Sequence, residues 1–403
     1  MTAAILAAKQ GLLDLQQWGR QALSWRVLVP VGLLLLSWRF PEVGSIIVNT
    51  ISEAYLQVSV FVAGTLIVIY GLERLFRVDS ADLLARHPKA QVPVAAFLGA
   101  LPGCGGAIVV VTQYVNGQVG FGALVAVLTA TMGDAAFLLL AQEPLTGMAV
   151  FALGMGVGTI SGYILEAIHG CDFMRRQTDD SAAETVAANR PPTRSRDVRG
   201  LRAIWMMLMM PGVVMAVPIA MQLEPDTWFG SLSEFRPVTM LGFVGGMICL
   251  LMWSMFLSSD PGHTYAAANP NDRREGRPSL VSRVVNDTNF VTVWVIAAFL
   301  LFELGVHFTG ADLGAWFAVW APLTPLLAVL VGFLPGCGPQ IIVTTLYLTG
   351  AIPMAALLGN AISNDGDALF PALALAPRAA LVATLYTGVP ALIVGYGAYF
   401  LLA

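Results

Sequence analysis

Two aspartates and two cysteines stand where polar chemistry is costly. Asp134 and Asp367 lie deep inside apolar stretches, where a carboxylate costs about 2.5 to 3.5 kcal/mol to insert into a membrane and is read by default as functional. Cys104 and Cys337 each lie upstream in the same motif: Leu101-Pro102-Gly103-Cys104-Gly105 recurs as Leu334-Pro335-Gly336-Cys337-Gly338, and Gly133-Asp134-Ala135 recurs as Gly366-Asp367-Ala368. The cysteines and the aspartates are each 233 residues apart, so the copies align without a gap, and Gly99 to Pro144 shares 20 of 46 residues with Gly332 to Pro377. Shared apolar composition does not align Thr112 with Thr345, Tyr114 with Tyr347 and Gly117 with Gly350 as well. The unit is duplicated, and the copies are expected to face each other across one site.

Carboxylates, amide oxygens, hydroxyls and freed carbonyls make a hard oxygen site suited to manganese or magnesium, and a thiol softens it toward other transition metals. Around the second aspartate stand Asn360, Asn364 and Asp365. The spacing of Asn360, Asn364 and Asp367 places them on one face if the helix is continuous. Cys104 and Cys337 are either ligands or small side chains filling a crowded turn. Pro102, Gly103 and Gly105, with Pro335, Gly336 and Gly338, break the helix, because proline removes a donor and glycine does not hold the register. Broken backbone at membrane depth must be buried in protein or line a wet cavity. Glu53, Glu303 and Asp287 are further acids near or within apolar runs and are candidates for proton or cation coupling. No pair of histidines has zinc spacing.

The elements that must hold these residues are membrane helices. The 403 residues are 57% hydrophobic and 11% charged, with mean hydropathy +0.74, against about 25% charged in a soluble domain. The runs are long enough to cross lipid, and lipid requires each helix to satisfy its own backbone. The expected fold is an all-α polytopic membrane protein. Residues 1–22 read as an amphipathic lead-in. Crossings are expected at Ser24 to Phe40, Gly44 to Leu72, Phe121 to Ala141, Thr146 to Ile168, Ala203 to Met221, Val238 to Leu257, Thr288 to Phe308, Met354 to Ala376 and Ala379 to Leu402. Interrupted stretches run from Val92 to Val115 and Leu313 to Leu348, with a polar loop from Ser258 to Asp287. The total comes to about nine to eleven crossings.

Residues 1–170 form an N-terminal half with the motif at 99–144, and residues 203–403 form a C-terminal half with the motif at 332–377. An Arg-rich linker, 171–202, separates them. The positive-inside rule places the linker and the N-terminus in the cytoplasm. An even number of crossings must then join the basic loops at 74–89 and 171–202, so Val92 to Val115 is expected to turn back at Pro102-Gly103. The same count starts the second copy from the opposite side, giving inverted repeats of the kind found in secondary transporters. The net charge of −4 argues against a nucleic-acid partner. The partners expected are a metal ion and the bilayer, with a homodimer also open to the chain.

At the duplicated Pro-Gly-Cys-Gly with its downstream Gly-Asp-Ala, the sequence resembles the heavy-metal exporter family of about ten membrane helices that is named with the arsenic permeases. Members of that family are often labelled manganese transporters. The resemblance runs from about residue 25 to 400 and implies efflux of a metal or metalloid across the bacterial plasma membrane. The positions it carries over are Cys104, Asp134, Cys337, Asn364, Asp365 and Asp367. The first repeat has Thr131-Met132 where the second has Asn364-Asp365, which implies an asymmetric site.

The leading expectation is a secondary transporter exporting manganese, or another divalent cation, by alternating access with proton coupling. The metal is its substrate; no cofactor and no enzymatic activity are expected. Efflux of arsenic compounds or other small anions is the alternative substrate class. A passive channel or an intramembrane enzyme is the alternative of another kind, the latter lacking a HExxH ligand set.

Overall fold

The computed structural model describes residues 27–76, 88–170, 173–174, 199–221, 223–256, 280–310, 317 and 321–402. The lead-in over 1–22 and most of the Arg-rich linker lie outside the described residues. So does the polar loop over 257–279.

The described chain is helical. Helices α1 (Leu28–Arg39) and α2 (Pro41–Glu53) meet at a sharp bend where Phe40 is extended, and a six-residue π-helical turn (Ala54–Ser59) joins α2 to α3 (Val60–Phe76). The first motif occupies α4 (Pro88–Ala100), α5 (Gly105–Val115), α6 (Phe121–Ala130) and α7 (Ala135–Gln142), followed by the long α8 (Pro144–His169). Then come α9 (Arg199–Ala220), α10 (Pro237–Phe256) and α11 (Leu280–Thr309). The second motif occupies α12 (Thr324–Gly332), α13 (Cys337–Leu348), α14 (Met354–Ser363) and α15 (Leu369–Leu375), followed by α16 (Pro377–Leu402). Pro144 and Pro377, repeat counterparts, each open their long helix, where a missing N–H costs nothing.

Among the described residues, six helical stretches are long and apolar enough to cross a membrane: 41–68, 144–169, 200–220, 237–254, 284–309 and 377–401. The pair α6 and α7, bent by 41° at its break, adds a seventh if it is one span. Leu381, Leu385, Val389 and Ile393 lie exposed along α16 at intervals of four. That spacing makes a continuous apolar stripe of the kind that faces lipid. Where helices cross closely, small residues let the backbones meet: a Cβ on Gly158 of α8 would stand 2.6 Å from the Ala126 carbonyl of α6.

Both interrupted segments fold back. At the start of α4 the Lys89 carbonyl accepts from Tyr163 of α8 at 2.6 Å, and at the end of α5 Tyr114 donates to the Met174 carbonyl at 2.6 Å. Both ends of this hairpin therefore lie by the C-terminal end of α8. In the second copy Phe317, ahead of α12, shares one buried cluster with Val343 of α13, Ile352 just ahead of α14 and Ala356 in its first turn. Tyr347, at the end of α13, donates to Glu143 at the N-terminal end of α8 at 3.0 Å. With only nine residues, α12 is too short to span, contrary to the length of its apolar run.

Three expectations need correction. The polar loop does not extend to Asp287: α11 begins at Leu280, and Asp287 accepts a hydrogen bond from Tyr70 within the helical bundle. The run from Met354 to Ala376 is not one helix, because α14 ends at Ser363 and a short 3-10 turn, Gly366–Ala368, precedes α15. Gly105 and Gly338 do not form the break; each sits in the first turn of its helix, and the left-handed backbone falls on Gly103 (φ +88°) and Gly336 (φ +113°). Only a residue without a Cβ holds that conformation cheaply.

Candidate functional site

The two copies of the motif meet at their chemistry. Cys104 immediately precedes α5, and Cys337 is the first residue of α13. Their sulfurs lie 3.5 Å apart. The Asp367 carboxylate accepts from both thiols, at 3.2 Å from Cys337 and 3.6 Å from Cys104. Asp134 completes the cluster: one of its oxygens and the two sulfurs all fall within 4.8 Å of one another. All four side chains are buried, none more than 2% exposed.

Local backbone explains how such groups pack. Asp134 and Asp367 stand at breaks in helices that would otherwise continue, just after Gly133 (φ +53°) and Gly366 (φ +57°). A Cβ on Gly133 would come within 2.7 Å of the Cys337 sulfur, and one on Gly366 within 3.4 Å of the Cys104 sulfur. Each glycine therefore lets backbone lie against the other copy's thiol. The Gly133 carbonyl also accepts from the Gly103 amide at 3.2 Å, tying the aspartate's turn to the motif break of its own copy.

The cluster leaves acceptors unspent. Asp134 Oδ2 and Asp367 Oδ1 are fully buried without a hydrogen-bond partner among the described residues, as are Thr131 Oγ1 and both amide atoms of Gln340. Buried polar atoms are nearly always satisfied, so a concentration of orphans calls for a ligand, water or ion. A tetrahedral ion with sulfur at about 2.3 Å and oxygen at about 2.0 Å would space its sulfurs by about 3.8 Å and its sulfur–oxygen pairs by about 3.5 Å. The observed separations of 3.5, 3.2 and 3.6 Å are close to that shape.

Other expected site residues lie elsewhere. Asp365 is held by Thr384 and Thr387 of α16 and so anchors the broken helix. Asn360 donates to the Ala328 carbonyl of α12 at 2.9 Å. Asn364 accepts from the Gly366 amide at 2.9 Å and shapes the turn. The shared face expected for Asn360, Asn364 and Asp367 does not exist, because the helix ends between them. Glu53 and Glu303 line a cavity of about 640 Å³ that reaches Cys337 and Gly338.

Gln340, one turn beyond Cys337, was not anticipated; its amide oxygen is 3.5 Å from where a Gly133 Cβ would stand. Its signal lay in the repeat alignment, where a buried glutamine replaces Ala107 of the first copy. The π-helical turn following Glu53 had no signal in the sequence pattern.

A multi-pass membrane protein with a buried cluster of thiols and carboxylates drawn from both copies of a repeat is the class that fold and site define. Residues 42–402 match the family described as "Putative, 10TM heavy-metal exporter". The chain belongs to that family. No curated protein and no solved structure matches it.

Proposed function

We propose that this chain exports a divalent heavy-metal cation across the bacterial plasma membrane by alternating access, with Cys104, Cys337, Asp134 and Asp367 as ligands of the transported ion. The observation that carries the reading is the convergence of the thiol and carboxylate of both copies in one buried cluster. Two thiols favour a soft or borderline ion of the zinc and cadmium kind over manganese, which prefers oxygen. The carboxylates can exchange the metal for protons, so a proton gradient can drive export.

Inverted repeats supply the two access states, and two features support the inversion. Tyr114 and Tyr347, which are repeat counterparts, bond at opposite ends of the 26-residue α8, a helix about 39 Å long. Two pairs of counterparts, 233 positions apart, also touch each other: Cys104 with Cys337, and Ser59 with Thr292 at 2.5 Å. A residue that meets its own counterpart lies on the axis relating the copies. The Arg-rich linker and the N-terminus lie on the cytoplasmic side in this reading.

The test is flux of radiolabelled zinc, cadmium and manganese in proteoliposomes, with and without a pH gradient. Gradient-driven zinc or cadmium flux, lost in Asp134→Asn and Asp367→Asn, is the expected result. Manganese flux that survives Cys104→Ser and Cys337→Ser would sink the thiol assignment. The thiol spacing also favours a second cargo, since trivalent arsenic bonds to pairs of thiolates. Transport of a methylated trivalent arsenical with no metal flux would select it.

A further inference from the structure

The offset that relates the repeats also pairs their surroundings, and the pairs are not in the same state. Under it α3 corresponds to the C-terminal part of α11, and α5 to α13. Helix α3 packs along α5, with the Thr65 side chain filling the space where a Cβ on Gly105 would go. A Cβ on the counterpart Gly338 would meet nothing nearer than 3.9 Å among the described residues, from Phe302. There the helices are parted by the cavity of about 640 Å³, which leads to Cys337. On the packed side, Tyr70 donates to Asp287 at 2.9 Å. The counterpart of Tyr70 is Glu303 and that of Asp287 is Ala54, next to Glu53. The two glutamates therefore stand on the open side where the tyrosine–aspartate bond stands on the closed one.

The cavity lies on the face away from the Arg-rich linker. It is lined by Leu223 to Asp226 and by Arg236, in the connection from α9 to α10. Helix α9 starts at the end of the linker and its 22 residues run about 33 Å to that connection. Four acids line the space, Glu53, Glu303, Glu224 and Asp226, against Arg236, which pairs with Asp226 at 3.9 Å. Gln57, only 7% exposed and with its side chain making no hydrogen bond to any described residue, also lines it, as does Asn49, whose buried Oδ1 has no partner among the described residues. The volume exceeds the roughly 180 Å³ that six waters occupy, so the cavity as a whole has room for water and ions.

Resting on the export reading above, we infer that Glu53, Glu303 and Gln57 form a second, weaker cation site on the non-cytoplasmic side. The ion leaving the thiol–carboxylate centre passes through it. The repeat-related route toward the cytoplasm is closed at Tyr70–Asp287. Carboxylates and an amide oxygen are hard ligands and hold a soft ion loosely, which suits release. Negative charge in the vestibule draws the ion out of the buried centre.

Two measurements test this on the full chain. In the first, a small membrane-impermeant cationic thiol reagent is applied from the non-cytoplasmic side of oriented vesicles, and the modified cysteines are mapped by mass spectrometry. Modification of Cys337 at least tenfold faster than Cys104, suppressed by cadmium, is expected; equal rates, or modification of Cys337 only from the linker side, overturn the route. In the second, zinc binding to purified protein is titrated. Glu53→Gln/Glu303→Gln should lose a weaker class of site and keep the tight class within about twofold, with zinc flux down at least tenfold. A weaker class that persists unchanged, or flux that is unaffected, overturns the second site. Failure of the export reading looks different: the tight class would then survive Cys104→Ser/Cys337→Ser and Asp367→Asn.

Discussion

The two copies of the repeat carry the same residues at the centre and differ in what is packed against them. In the first copy Thr65 of α3 fills the space over Gly105 and Gly103 faces the Phe137 ring, which stacks on Phe61 at 4.6 Å. In the second, Gly338 borders an open cavity and Asp365 is tied to two threonines of α16. The difference teaches that near-identical motifs can hold one side of a buried site shut and leave the other reachable. Nothing in the motif selects which; the neighbours α3 and α11 do.

The largest test of the comparison is at the carboxylates. Asp367 accepts from both thiols while Asp134 Oδ2 has no partner among the described residues, so Asp367→Asn should lower metal affinity at least about 100-fold, at the upper end of the range for loss of a supporting group. Asp134→Asn should cost less, and titration of the purified variants decides the order.

Next come the two glycines of the aspartate turns. Both have positive φ, and an alanine there costs about 1 to 2 kcal/mol. Gly133→Ala adds a clash with the Cys337 sulfur at 2.7 Å, whereas Gly366→Ala meets Cys104 at 3.4 Å. Gly133→Ala should therefore weaken zinc binding about tenfold more than Gly366→Ala, read in the same titration.

A smaller effect separates Gly105 from Gly338. Gly105→Ala overpacks against Thr65 and should destabilise by about 1 to 3 kcal/mol; Gly338→Ala should stay within about 0.5 kcal/mol. Thermal unfolding in detergent measures both. Gly338→Ala should nevertheless slow flux, because closing the vestibule brings Ala298, the counterpart of Thr65, toward it. Equal stability of the two variants would break the comparison.

The smallest effect is expected at Thr384→Val, which removes one donor from Asp365. It should cost about 1 kcal/mol and leave the preference among metals unchanged. A changed preference would bring Asp365 back into the site.

The expectation that failed most clearly was the continuous helix carrying Asn360, Asn364 and Asp367. Helical spacing was the only geometry the sequence offered there, and Gly366 was the sign of a break. The copies were expected to face each other, and Cys104 does meet Cys337 at 3.5 Å with Asp367 and Asp134 beside the pair; a gapless duplication puts equivalent groups in reach of one another when its copies pack face to face. Asp287 was legible as an intramembrane acid, but its bond to Tyr70 spans 217 positions of chain and no local pattern encodes it.

Sequence by itself determined the membrane setting and the duplication, and it marked Asp134 and Asp367 as costly acids at equivalent positions of the two copies. Those follow from hydropathy and from the price of burying charge, which are properties of residues and their order. Tertiary structure alone decided that the thiols lie 3.5 Å apart, that Asp365 faces threonines, and that one side of the centre is packed while the other holds a cavity. Those depend on which helices pack together, and packing partners far apart in the chain are chosen by shape complementarity that a linear pattern does not carry.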